Sequence, residues 1–132
     1  LNPLIFDSSA LLSYFLGEGG ATEVQKLLKK AVREDLPLLL SPINLGEIYY
    51  IISRREGQEK AEDVVKMLDE LFFEIPSVDR ETSLSATKLK TTHGLGYADC
   101  FAAALALRQK GDLVTGDKDF KPLEKELTIH WI

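Results

Sequence analysis

Residues 94–120 read GLGYADCFAAALALRQKGDLVTGDKDF, and this stretch decides the fold. From Tyr97 to Leu107 the periodic positions are apolar on every side, which predicts a helix buried among other elements. Leu113-Val114-Thr115 follows as a short apolar run, the pattern of a strand covered on both faces. A buried helix feeding a buried strand is the repeating unit of a parallel α/β sheet.

The same alternation runs outward to both ends. Leu4-Ile5-Phe6 predicts a first strand, followed by a helix capped at Ser8 or Ser9 and reaching about Leu16, where Gly17, Gly19 and Gly20 break it. Val24, Leu27, Leu28, Ala31 and Val32 recur at helical spacing, with Lys26, Lys29, Lys30 and Arg33 on the other face. Leu38-Leu39-Leu40 predicts a second strand. Helices over 43–56 and 59–71 lead to a third strand at Phe72-Phe73-Glu74-Ile75, and helices over 80–93 and 97–109 lead to the fourth. Residues 127–132 supply a fifth. The expectation is a doubly wound α/β sandwich with helices on both faces. With no repeat, low-complexity run or linker, residues 1–132 are expected to form one domain.

Composition bounds the chemistry. The 132 residues hold 16 Lys plus Arg against 21 Asp plus Glu, and 45% are apolar, enough for a real core. One cysteine excludes an intrachain disulfide or a cysteine-built zinc cluster, and a cytoplasmic, reducing compartment is expected. No stretch approaches the ~20 apolar residues of a membrane span. The apolar start runs into Asp7 without a basic flank, so it reads as a strand and not a signal peptide; the absence of an initiator Met points to a trimmed start. The net charge of −5 argues against gripping nucleic acid by bulk positive charge.

Several carboxylates occupy unexpected places. Asp7 ends the first strand and Asp117 follows the fourth, where ligands of such sheets bind. Each taken alone is more simply explained as a turn or cap residue. Glu47, with Ile43 at i−4 and Ile51 at i+4, is expected along the buried side of its helix. Asp99 interrupts the all-apolar helix, so it must be protonated, paired with a base such as Arg54 or Arg108, or bound to metal. Asp119 completes the set. Acids converging on one crevice raise each other's pKa, and oxygen-only ligation suits hard Mg²⁺ or Mn²⁺ ions in phosphate chemistry.

Four segments, Asp7-Ser8-Ser9, Ser41-Pro42-Ile43-Asn44-Leu45-Gly46-Glu47, Tyr97 to Ala104, and Thr115-Gly116-Asp117-Lys118-Asp119-Phe120, occur in an order that resembles the PIN-domain family of metal-dependent ribonucleases, including VapC-like toxins of toxin–antitoxin pairs. The resemblance implies a five-stranded parallel sheet in order 3-2-1-4-5. It also implies Mg²⁺ or Mn²⁺ held by Asp7, Glu47, Asp99 and Asp117, with Asp119 a further candidate and Ser8 and Thr115 in support. The implied reaction is hydrolysis of RNA phosphodiesters by activated water, leaving 5′-phosphate and 3′-hydroxyl ends. A homodimer and a cognate antitoxin protein are the implied partners.

Lys118 and Lys121 are the best placed candidates for RNA phosphates; Arg54, Arg55, Lys88 and Lys90 equally suit a solvated surface. Residues 45–52 are apolar on more than one face, with Tyr49 and Tyr50, which either core burial or a partner surface explains. His93 and His130 read as structural or exposed, and Cys100 as a buried structural thiol. Two alternatives stay open. A haloacid-dehalogenase-like phosphatase also ends its first strand in Asp but wants a second Asp where Ser9 stands. A PIN-like module that binds RNA or protein without cutting would keep the scaffold and lack the reaction. Removing the five candidate acids from the 21 leaves 16, equal to the Lys plus Arg count, so the net negative charge has the size of the proposed site.

Overall fold

The computed structural model describes residues 2–132. Five strands, β1 (Leu4–Phe6), β2 (Leu38–Leu39), β3 (Phe73–Glu74), β4 (Asp112–Thr115) and β5 (Ile129–Trp131), form one parallel sheet in the order 3-2-1-4-5. Strand order reverses beside β1, which pairs with β2 on one side and β4 on the other. The crevice between the carboxyl ends of β1 and β4 is therefore the switch point where ligands of such sheets settle.

Six helices cover the sheet: α1 (Ser8–Leu16), α2 (Ala21–Glu34), α3 (Pro42–Glu56), α4 (Gln58–Glu70), α5 (Arg80–His93) and α6 (Tyr97–Gln109). The period-2 alternation of β1 separates two cores. Leu4 and Phe6 pack with Ala10, Leu11, Val24, Leu28, Ile48, Val64 and Leu68. Ile5 faces the other way, against Leu113 and the buried Cys100–Ala106 segment of α6. The result is the three-layer α/β/α arrangement expected from the sequence. At the amino end of β4, Gly111 is required by space: a Cβ there would stand 2.3 Å from Ile5 Cδ1 and 2.7 Å from the Pro3 carbonyl oxygen.

Local signals set the helix ends. Ser41 caps α3 through the Ile43 amide, with Pro42 in the first turn, where its missing N–H costs nothing. Asp79 caps α5 through Thr82, and Gly94 ends it in the left-handed region at φ 69°.

The structure departs from the sequence expectation at particular residues. The α1 cap is Asp7 itself, accepting from the Ala10 amide, and Ser8 is already helical. Val32 is 78% exposed: it lies roughly 80° around α2 from Val24, at the edge of the Val24–Leu28–Ala31 stripe. Phe72 is 85% exposed because its φ of 62° turns it out just before β3, leaving Phe73 to pack edge-on against Phe6. A 3₁₀ turn over Lys118–Leu123, unanticipated from the sequence, buries Phe120 and Leu123.

Candidate active site

Asp7 leaves β1 fully buried, and its carboxylate is closely held. Oδ1 accepts from the Ser9 hydroxyl at 2.8 Å and from the Ala10 amide at 2.9 Å. Oδ2 accepts from the Thr115 hydroxyl at the end of β4, and lies 2.9 Å from Ser9 Oγ. Burial pushes this carboxyl up to about 6; the bonds from Thr115, Ala10 and Ser9 oppose that rise, and nearby Asp117 adds to it.

Thr115 also organises the next loop. Its hydroxyl oxygen accepts from the Asp117 amide at 2.9 Å, and Ser9 Oγ accepts from the Gly116 amide at 3.2 Å. Asp117 then caps the 3₁₀ turn, its Oδ1 accepting from the Asp119 amide at 2.9 Å. The start of α1 and the loop after β4 are thus bonded around one carboxylate.

Asp99 lies in the first turn of α6, half-buried rather than enclosed as its helix predicts. A side chain at Gly96 would crowd it, because a Cβ there would come within 3.0 Å of Asp99 Oδ2. Its carboxyl is pushed up to about 7, first by burial and then by the charges of Asp117, Asp7, Glu47 and Asp119. All five acids singled out from the sequence therefore share one electrostatic neighbourhood.

The ion-pair alternative for Asp99 is not realised: Arg108 pairs with Asp79 at 3.4 Å, and among the described residues neither Asp99 nor Arg54 enters an ion pair. Glu47 is half-buried on the flank of α3, whose buried stripe is Asn44, Ile48 and Ile52. Asp117 is half-buried, and Asp119, Lys118 and Lys121 are exposed beside it in sequence. Among the described residues, no three His, Cys, Asp or Glu side chains form a ready metal cage. The donor set nonetheless suits a hard cation: it is all oxygen, and two of its carboxyls are held above their ordinary range by burial and mutual repulsion.

Two polar residues, Ser9 and Asn44, were read from the sequence as parts of motifs but given no role in the site. Ser9, not Ser8, supports Asp7; the Ser8 hydroxyl turns to α3, donating to the Asn44 carbonyl at 3.4 Å. Asn44 is fully buried. Its signal was a polar residue four positions before Ile48 and eight before Ile52, on the apolar stripe. Neither histidine joins the acids: His93 faces Glu126 at 3.8 Å and His130 faces Asp112 at 2.9 Å, at the amino end of β4. Cys100 is buried.

Residues 4–126 match the PIN domain family model. No curated protein matches the sequence. Solved structures do match by shape. VapBC2 from Rickettsia felis, bound to a promoter DNA fragment, aligns with a TM-score of 0.77 at 16% identity, covering 96% of each chain. The Mycobacterium tuberculosis toxin VapC20, described as cleaving the sarcin–ricin loop, gives 0.73 at 16% identity over 90% of this chain and 93% of its own. A toxin–antitoxin complex from Klebsiella pneumoniae gives 0.70 at 20% identity over 98% and 99%. At these identities the likeness is one of fold. With the family model spanning nearly the whole sequence, the chain belongs to the PIN-domain family.

Proposed function

We propose that this chain is a metal-dependent endoribonuclease and the toxin of a toxin–antitoxin pair. The observation that carries the reading lies at the switch point of the sheet: the Thr115 hydroxyl bonds both the Asp7 carboxylate and the Asp117 amide, and the charges of Asp117, Asp7, Glu47 and Asp119 act on the Asp99 carboxyl. Asp7, Glu47, Asp99 and Asp117 would hold Mg²⁺ or Mn²⁺, with Asp119 as a further ligand from the loop. A cation bound there would supply charge stabilisation at the scissile phosphate and a lower pKa for the attacking water.

The protein groups divide the remaining work. Asp7, fixed by Ser9, Ala10 and Thr115, is the rigid anchor of the site. A carboxylate among these acids would accept the proton from the attacking water. Lys118 and Lys121, exposed in the turn beside Asp117, would meet RNA phosphates. Single-stranded or looped RNA is the expected substrate, because its bases can be splayed into a cleft. A cognate antitoxin would fill the acidic crevice with a basic side chain, and a homodimer is the expected assembly. The structural likeness to VapBC2 and to a toxin–antitoxin complex supports this partner class. Among the described residues, no helix is long and apolar enough to cross a membrane.

The test is RNA cleavage with Mg²⁺ or Mn²⁺ by wild type, Asp7→Asn and Asp99→Asn. Cleavage that EDTA abolishes and both substitutions suppress supports the reading. Cleavage that survives EDTA or is untouched by both substitutions refutes it, and RNA binding without any cleavage favours a silent PIN-like module.

A further inference from the structure

Asn44 stands where the first turns of three helices meet. Its side-chain Nδ2 donates to Ser8 Oγ in α1 at 3.0 Å and to the Ala98 carbonyl in α6 at 3.2 Å. The Ser8 hydroxyl returns a longer bond to the backbone carbonyl of Asn44. Ser8 directly follows Asp7, Ala98 directly precedes Asp99, and Glu47 sits about one turn further along α3. A single carboxamide therefore ties together the three backbone segments that carry Asp7, Glu47 and Asp99.

The chemistry of the amide fits that task. Its NH₂ group has two hydrogens, and both are used; a Ser or Thr hydroxyl has one, and an aliphatic side chain has none. The other end of the side chain is left without benefit, since Oδ1 is buried and has no hydrogen-bond partner among the described residues. An unsatisfied buried acceptor is a cost that an apolar residue of the same volume would avoid. Filling space thus does not account for an amide at this position, whereas its two donors do.

We propose that Asn44 is a positioning residue, whose buried carboxamide fixes the α1 and α6 starts against α3 and so sets the spacing of Asp7, Glu47 and Asp99. Its effect on catalysis rests on the ribonuclease reading above; its effect on cation affinity is measurable without any RNA.

The experiment compares full-length wild type with Asn44→Leu, which keeps the volume and removes both donors, and Asn44→Ser, which keeps one. Ile52→Val, two turns along the same buried stripe, controls for loss of stability alone. Mn²⁺ affinity is read by calorimetry and RNA cleavage by steady-state kinetics, at a temperature where each protein is folded by circular dichroism. The expected result is Mn²⁺ affinity weakened about 10–100-fold in Asn44→Leu, the range typical of residues that orient ligands. At saturating Mn²⁺ its kcat falls while KM is kept, Asn44→Ser is intermediate, and Ile52→Val behaves as wild type. Asn44→Leu equal to Ile52→Val in both Mn²⁺ affinity and kcat overturns the proposal. If Asn44→Leu does not fold, Asn44→Ser is judged by the same comparison. A wild type that binds Mn²⁺ but cuts no RNA refutes the ribonuclease reading alone, and the affinity comparison still decides on Asn44. A wild type that binds no Mn²⁺ overturns both.

Discussion

Replacing Asp99 with Asn should make the metal-free protein more stable at neutral pH while abolishing its activity. In the folded chain the Asp99 carboxyl is raised from 3.8 to about 7 by burial and by four neighbouring carboxylates. Above pH 7 the folded protein must hold this group ionised against that environment, whereas the unfolded chain does so freely. The folded state binds the proton more tightly, so the contribution of Asp99 to stability declines as pH rises from about 4 through 7. At full strength a rise of this size corresponds to about 4 kcal/mol. Half-exposure lets water and salt screen much of it, which leaves about 1–2 kcal/mol at pH 8. For a chain of this length that is roughly 3–8 °C in Tm. Thermal unfolding in EDTA should therefore place Asp99→Asn above wild type at pH 8, with less than half of that gain at pH 5. Saturating Mn²⁺ should reverse the order, because cation binding stabilises the folded wild type by mass action and the variant has lost a ligand. An Asp99→Asn protein less stable than wild type in EDTA at pH 8, with no response of either to Mn²⁺, would refute the repulsion argument and mark the carboxylate as a structural group.

Other perturbations separate the parts of the site. Thr115→Val removes a hydroxyl that holds the Asp7 carboxyl down against burial. The Asp7 carboxyl should then titrate above 6, and the acid limb of the pH–rate profile should move to higher pH; an unmoved limb would detach Thr115 from Asp7. Gly111→Ala forces a Cβ onto Ile5 and the Pro3 carbonyl and should cost about 1–3 kcal/mol, read as a lower denaturation midpoint with the Mn²⁺ affinity of the folded protein kept. Lys118→Ala and Lys121→Ala, both at exposed positions, should leave Tm unchanged and raise KM for RNA most strongly at low salt. Equal KM values at every salt concentration would remove these lysines from the RNA path.

The parts of the fold that sequence made legible are those governed by local rules. The helices expected over 80–93 and 97–109 occupy those residues, because Asp79, Gly94 and the all-apolar α6 pattern each specify an end or a face without reference to distant groups. Strands were legible as apolar runs but not in extent: β2 and β3 keep two residues each, since a ladder ends where its neighbour ends. The acids were legible as violations of pattern, and their shared neighbourhood follows from the topology that the same pattern implied. What sequence could not give was the direction of adjacent polar groups. Ser8 and Ser9 are chemically identical neighbours at the start of one helix, yet one bonds Asn44 and the other Asp7. The choice depends on where α3 and β4 lie, which is a tertiary fact. Glu47 and Asn44 show the same limit: a helical stripe anchored on Ile43 and Ile51 puts Glu47 inside, while the stripe actually buried runs through Asn44, Ile48 and Ile52.

The site sets stability against function in a specific way. Three helices begin at the crevice and present the positive ends of their dipoles there, each equivalent to roughly half a charge, next to Asp7, Glu47 and Asp99. Three such ends cannot balance five carboxylates, and Asp7 and Asp99 remain above their ordinary range. The residual repulsion has two outlets: protonation, which dominates at low pH, or a bound cation, which requires the acids to be ionised. A cation therefore competes with protons for the same crevice, and Mn²⁺ affinity should rise steeply between about pH 5 and 8 as Asp7 and Asp99 lose their protons. Calorimetry across that range measures it, with proton release on binding that is larger at pH 6 than at pH 8. Affinity independent of pH across the window would mean that the ion binds elsewhere on the chain.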